Sequence, residues 1–169
     1  MVRVIILAFF LFFIFDWFLS GKKNTLINKA AKAFNKGNYQ VSRDAYKELA
    51  DSFNVKSSAV AFNLAQSYYF EKDTASARQY FGNLTSGNDS LANAWSHHQL
   101  GVMAYEMSNF QEGLSYFKSS LLKDPGNSEA RYNYELLMKL NQNQDQQNNQ
   151  IEPSEFAKRL KKQAEALAA

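Results

Sequence analysis

Apolar and polar positions divide the chain into three regimes. From Val4 to Phe15 the sequence is an unbroken apolar run, extended past Asp16 by Trp17, Phe18 and Leu19. From Thr25 to Leu140 apolar residues recur at i, i+3, i+4 and i+7, the signature of one buried helix face. Beyond Leu140 the pattern dissolves into "NQNQDQQNNQ" and resumes weakly after Pro153.

The middle regime repeats itself. "TLINKAAKAFNKGNYQVSRDAYKELA" from Thr25, "VAFNLAQSYYFEKDTASARQYFGNLT" from Val60 and "SHHQLGVMAYEMSNFQEGLSYFKSSL" from Ser96 each read as helix, short polar turn, helix. The first helices carry their stripes at Leu26, Ala30 and Ala33; at Ala61, Leu64, Ala65 and Tyr68; and at Leu100, Gly101 and Ala104. Ala30, Ala65 and Gly101 are small at one corresponding place, which lets two helices approach closely. In the second helices Ser42, Ala77 and Gly113 correspond as small positions, and Tyr46, Phe81 and Phe117 as large aromatic ones. A further helix, "SEARYNYELLMKL", follows the Asp124–Asn127 turn, with Ser128 as its expected N-cap. Two prolines and seven glycines agree with long regular helices.

Composition removes several chemistries. Without cysteine there is no disulfide framework, thiolate metal site or cysteine nucleophile. The net charge of +3 is spread along the chain, with no basic stripe interleaved with aromatics, so a nucleic-acid partner is not expected. His97 and His98 diverge by about 100° on a helix and cannot share a metal well. No phosphate loop or serine–histidine–acid order is present. The expectation is therefore no enzyme, no catalytic residue, no metal and no cofactor.

The small/aromatic pattern, the turns "KGNY", "EKDT" and "MSNF", and the closing "DP" at Asp124–Pro125 resemble the tetratricopeptide repeat (TPR). The resemblance spans roughly residues 23–140. It implies an all-α, right-handed α-solenoid of about three helix pairs (repeats about 23–56, 58–91 and 94–127) with a capping helix over 128–140. Such units bury their apolar faces by stacking. Read in this frame, Asn28, Asn63, Gln99 and Asn133 fall at equivalent places on the first helices, with Phe62, Gln66, Tyr69, Trp95, His98, Tyr105, Tyr132 and Leu136 beside them. These twelve are the expected peptide- or protein-binding groove: amides donate and accept toward an extended backbone, and aromatics anchor. The alternative at these positions is that the amides solvate the groove and the aromatics pack between repeats. Groove lysines and arginines of the family's carboxylate clamp are missing, so capture of an acidic C-terminal peptide is not expected.

The N-terminal segment, residues 1–21, reads as an uncleaved signal anchor crossing a bilayer through residues 4–19. A cleaved signal peptide and a buried helix are the alternatives. Lysines and an arginine flank it on both sides, so charge does not set its orientation; a signal-type start favours an exported repeat domain on a single-pass protein. Residues 141–152 read as a Gln/Asn-rich disordered linker. Residues 153–169 read as an amphipathic helix with Phe156, Leu160, Ala164 and Leu167 as its stripe. The layout, with its "EARYNYELLMKL" helix, resembles the small TPR proteins of the Bacteroides aerotolerance (Bat) group. That resemblance implies an envelope adaptor for von Willebrand factor A-type membrane proteins. The competing reading is a scaffold that self-associates through the solenoid end or the N-terminal helices.

Overall fold

In the computed structural model the chain is described over residues 20–145. Seven helices and no strand occupy the described residues: α1 (residues 20–35), α2 (Tyr39–Asp51), α3 (Ser58–Phe70), α4 (Thr74–Leu84), α5 (Ser90–Glu106), α6 (Phe110–Lys123) and α7 (Ser128–Asp145). Helices α2–α7 pack mainly on their sequence neighbours, and α3 also touches α5. The expected anchor over 1–21 lies outside the described residues except for its last two positions. So do 146–152 of the linker and all of 153–169.

The helices start and stop for local reasons. Side chains of Asn38, Asp73 and Asp89 accept from the backbone N–H three residues on and cap α2, α4 and α5. The cap of α7 is Asn127, whose Oδ1 accepts from Ala130 N at 2.9 Å, and not Ser128. Asn127 is itself buried, so the side chain nearer the core takes the donor. Helix α5 begins at Ser90, earlier than the alignment places it, because Asp89 turns the loop-like "SLANA" into a first helical turn. Helix α7 continues past Leu140 to Asp145, taking up the start of the amide-rich tract.

The turn inside each pair is the same device three times. Gly37, Lys72 and Ser108 sit at φ of 73°, 69° and 61°. In the first turn Asn38 N bonds Ala33 O at 2.9 Å and Gly37 N bonds Phe34 O at 2.8 Å; Asp73 with Lys72, and Asn109 with Ser108, repeat this pattern. This is the paired closure of a helix C-terminus through a left-handed residue, which favours glycine.

Pairs close on small residues. Ala30, Ala65, Ala77, Phe81 and Phe117 are all fully buried. A Cβ added at Gly101 would lie 2.7 Å from the Phe117 ring, and one at Gly113 would lie 2.9 Å from Leu137. One core cluster runs through α1–α5; a second gathers Val102, Tyr105, Phe117 and Leu137 with Leu114, Leu136 and Leu140. Each fully buried aromatic or leucine contributes roughly 1.5–3 kcal/mol. Exposed ion pairs contribute about 0–1 kcal/mol. The cores therefore hold the stack, while polar contacts set register between repeats: Ser42 Oγ meets Ser67 Oγ at 3.0 Å, and Arg43 Nη1 donates to Glu71 at 2.7 Å.

Two substitutions test the close approach and the turns. Gly101→Ala should lose about 1–3 kcal/mol by overpacking against Phe117. Lys72→Gly should gain about 0.5–1 kcal/mol by relieving the positive φ. Urea unfolding monitored by circular dichroism reads both; a neutral Gly101→Ala would mean the ring moves freely.

Candidate functional site

The inner face of the stack is built from α1, α3, α5 and α7, the four helices on which sequence places the groove. Asn28 is exposed; Phe62, Asn63, Trp95 and Leu136 are half-buried; Tyr132 retains 37% exposure. The other six are covered. Gln66, Tyr69, His98, Gln99, Tyr105 and Asn133 are all under 9% exposed, so of the expected amide ladder at Asn28, Asn63, Gln99 and Asn133 only Asn28 and Asn63 retain exposure.

The physical reason is that each first helix lays one flank against the next. Phe34 of α1 meets Phe70 of α3 edge-on at 5.3 Å between ring centroids. Tyr69 of α3 donates its hydroxyl to Glu106 Oε1 of α5 at 2.6 Å. Burial first, and this hydrogen bond second, push the Tyr69 phenol well above its ordinary range. Asn133 of α7 donates Nδ2–H to His98 Nε2 of α5 at 2.8 Å, in the interior. Asn63 donates to the Tyr46 hydroxyl at 3.2 Å. Thus two of the four amides face a neighbour within the fold.

His98 is the most constrained polar group. It packs against Trp95 at 5.6 Å and Phe117 at 5.6 Å. Because Asn133 Nδ2 can only donate, Nε2 accepts and the ring proton sits on Nδ1, which meets no partner among the described residues. Complete burial pushes the imidazole down to about 4, so it is neutral at pH 7. His97 faces α6 instead, tilted against Tyr116 at 6.1 Å.

Two features escaped the sequence. Phe34, Tyr39, Tyr69 and Phe70 form one contiguous ring cluster, with Tyr39 and Phe70 stacked at 4.9 Å. Its signal was the aromatic residue that follows the first turn, in "KGNY". A cavity of about 740 Å3 lies where the start of α1 meets the end of α2, lined by Leu26, Glu48 and Phe53 among others. No spacing rule joins residues so far apart. Among the described residues no group of three or more His, Asp or Glu is placed to hold a metal. No helix among them is long and apolar enough to cross a membrane.

No family model and no curated protein matches the chain. Solved structures do. The chain is similar to the first TPR domain of Spaghetti (RPAP3) bound to the HSP90 peptide SRMEEVD, with a TM-score of 0.60 and 21% identity over 73% of this chain and 96% of that one. It is similar to the Arabidopsis OM64 TPR domain, with a TM-score of 0.60 and 17% identity over 69% and 94%. The first TPR domain of human RPAP3 gives a TM-score of 0.59 and 20% identity over 69% and 90%. The fold is therefore that of a TPR domain.

The His98–Asn133 contact makes a pH prediction. Its folded pKa of about 4 lies below the unfolded value of 6.5, so the unfolded chain takes up the proton first as pH falls. The contribution is intact above pH 6.5 and is lost on the way down to about 4, a change of about 3 kcal/mol. Urea midpoints at pH 7, 5 and 4 should show this loss in the wild type. The double variant His98→Leu, Asn133→Leu should lack this component of the acid dependence.

Proposed function

We propose that the chain is a non-enzymatic TPR adaptor that binds protein partners through the accessible part of its inner face. The observation that carries this reading is the stack itself. Four first helices stand side by side, leaving Asn28, Phe62, Asn63, Trp95, Tyr132 and Leu136 partly open while their neighbours are spent on packing. Aromatic and leucine side chains on a rigid helical frame are good anchors, and Asn28 offers both a donor and an acceptor. A solved structure of similar fold holds a peptide, which supports a peptide-like ligand here. None of the twelve candidates is lysine or arginine. The ligand favoured is thus an uncharged extended segment with an apolar side chain, rather than an acidic terminus.

The setting proposed is a bacterial envelope. The apolar run Val4–Leu19 supports a single-pass tether to the bilayer, and the signal-type start supports an exported repeat domain on the periplasmic side. The resemblance to the Bat group supports a role in aerotolerance or stress, with von Willebrand factor A-type membrane proteins as partners. End-to-end self-association is disfavoured by α7. Where a second helix would cover it, α7 presents exposed Arg131 and Glu135 beside half-buried Tyr134 and exposed Met138, a face more charged than its counterparts in α3 and α5.

A pull-down from membrane fractions tests the binding reading. Asn28→Ala combined with Tyr132→Ala should reduce recovery of wild-type partners by roughly tenfold or more, the loss of one to two hot-spot contacts, with helicity unchanged. Full recovery by the folded variant would remove this face from consideration.

A further inference from the structure

The turns after α3 and α5 differ at one position. Lys72 and Ser108 are the left-handed residues of those turns, and the residues just before them, Glu71 and Met107, hold the same place one repeat apart. Arg43 of α2 and Arg78 of α4 likewise correspond, each on the second helix of the preceding pair. Arg43 Nη1 donates to Glu71 Oε2 at 2.7 Å. Arg78 Nη1 meets the Met107 sulfur at 3.9 Å. A thioether is a weak acceptor, so this nitrogen makes a weaker bond at the second joint than its counterpart makes at the first. Arg78 Nη2 holds Glu112 Oε1, and Asn109 donates to Glu112 Oε2 at 2.8 Å, which keeps the guanidinium beside the turn. Met107 is 67% exposed, against 37% for Met138 and 2% for Met103. Among the described residues it is therefore the methionine most open to a dissolved oxidant.

We propose that Met107 is a reversible oxidation site for peroxides, and that its sulfoxide oxygen takes at the second joint the place that the Glu71 carboxylate holds at the first. A sulfur lone pair attacks one oxygen of hydrogen peroxide. The S–O bond forms as the O–O bond breaks; sulfur is oxidised by giving up an electron pair, and the peroxide is reduced. The proton on the transferred oxygen passes to the departing hydroxide, which leaves as water. The product is polar where the thioether was apolar. Its oxygen, bonded to a sulfur 3.9 Å from Arg78 Nη1, comes within hydrogen-bond range by rotation of a largely exposed side chain. A hydrogen bond from a cationic donor is of the strong kind. Because Met107 is exposed, its oxidation takes no apolar packing from the core. Oxidation thus ties α4 to the α5–α6 turn and stiffens the second joint. Methionine sulfoxide reductases reverse it. The clamp forms whether or not the inner face binds a partner.

In the full-length protein in detergent, graded hydrogen peroxide followed by peptide mass spectrometry should oxidise Met107 before Met138 and Met103. Hydrogen–deuterium exchange of the peptide spanning residues 104–112 should then slow by about threefold, the scale of one exposed charged contact. Met107→Glu should show the slow exchange without peroxide, and Met107→Leu should keep the fast exchange in its presence. In Arg78→Leu, oxidation of Met107 should not slow the exchange. Treatment with the reductases for both sulfoxide epimers should restore the original rate. Oxidation of Met138 ahead of Met107, unchanged or faster exchange after oxidation, equal slowing in Arg78→Leu, or a rate that the reductases do not restore would each overturn the inference.

Discussion

Phe117 presses so closely on the backbone of α5 that a single methyl group at Gly101 would have to displace it. The terminal half of the molecule follows from that contact. The ring forms one wall of the His98 pocket, and its burial sets how α6 lies on α5. The position of α6 places Gly113 against Leu137, which seats α7. Once α7 is seated, Asn133 reaches His98 across the interior. Two glycines, one ring and one imidazole thus act as a single fitted unit, and enlarging any of its members is felt through the others.

The helix pairing was legible in the sequence because close approach leaves a short-range mark: a small residue, a turn, and an aromatic at fixed spacing. Boundaries were less so. "SGNDSLANA" has the composition of a loop, yet Asp89 caps a helix that absorbs half of it. Ser128 looks like a cap, but Asn127 is the side chain positioned over the Ala130 amide. The candidate groove was legible as a set of positions and not as a set of surfaces. Periodicity assigns a residue to a flank of its own helix. Whether that flank meets water or the next helix depends on how the helices are set against each other, which spacing does not encode. Asn133 therefore reads like Asn28 in sequence, yet in the structure Asn133 is buried and Asn28 is exposed.

The repeats also divide labour between cohesion and polarity. Buried serines, Ser42 and Ser67, satisfy each other where the first two repeats meet, and a phenol–carboxylate bond joins Tyr69 to Glu106 at the next junction. Each polar group placed inside has a cost unless paired, so these contacts restrict which neighbour fits where. The apolar residues of α7 follow the same logic in part: Leu136 and Leu140 pack on the cluster around Val102 and Leu137, while Tyr132 and Met138 remain exposed beside Arg131 and Glu135.

The three inter-repeat joints differ in one further respect. Arg43 reaches Glu71 at the first, and Arg78 reaches Glu112 at the second. At the third the corresponding place is Leu114, inside an apolar cluster with Leu140. Dissolved salt screens the first kind of joint, and strongly excluded anions such as sulfate tighten the second. The joints are thus graded in their ionic share: added salt weakens the ion-pair part of the first two, which the core through α1–α5 also holds, and finds no such pair to weaken at the third. A change of surroundings shifts where along the stack the molecule gives way.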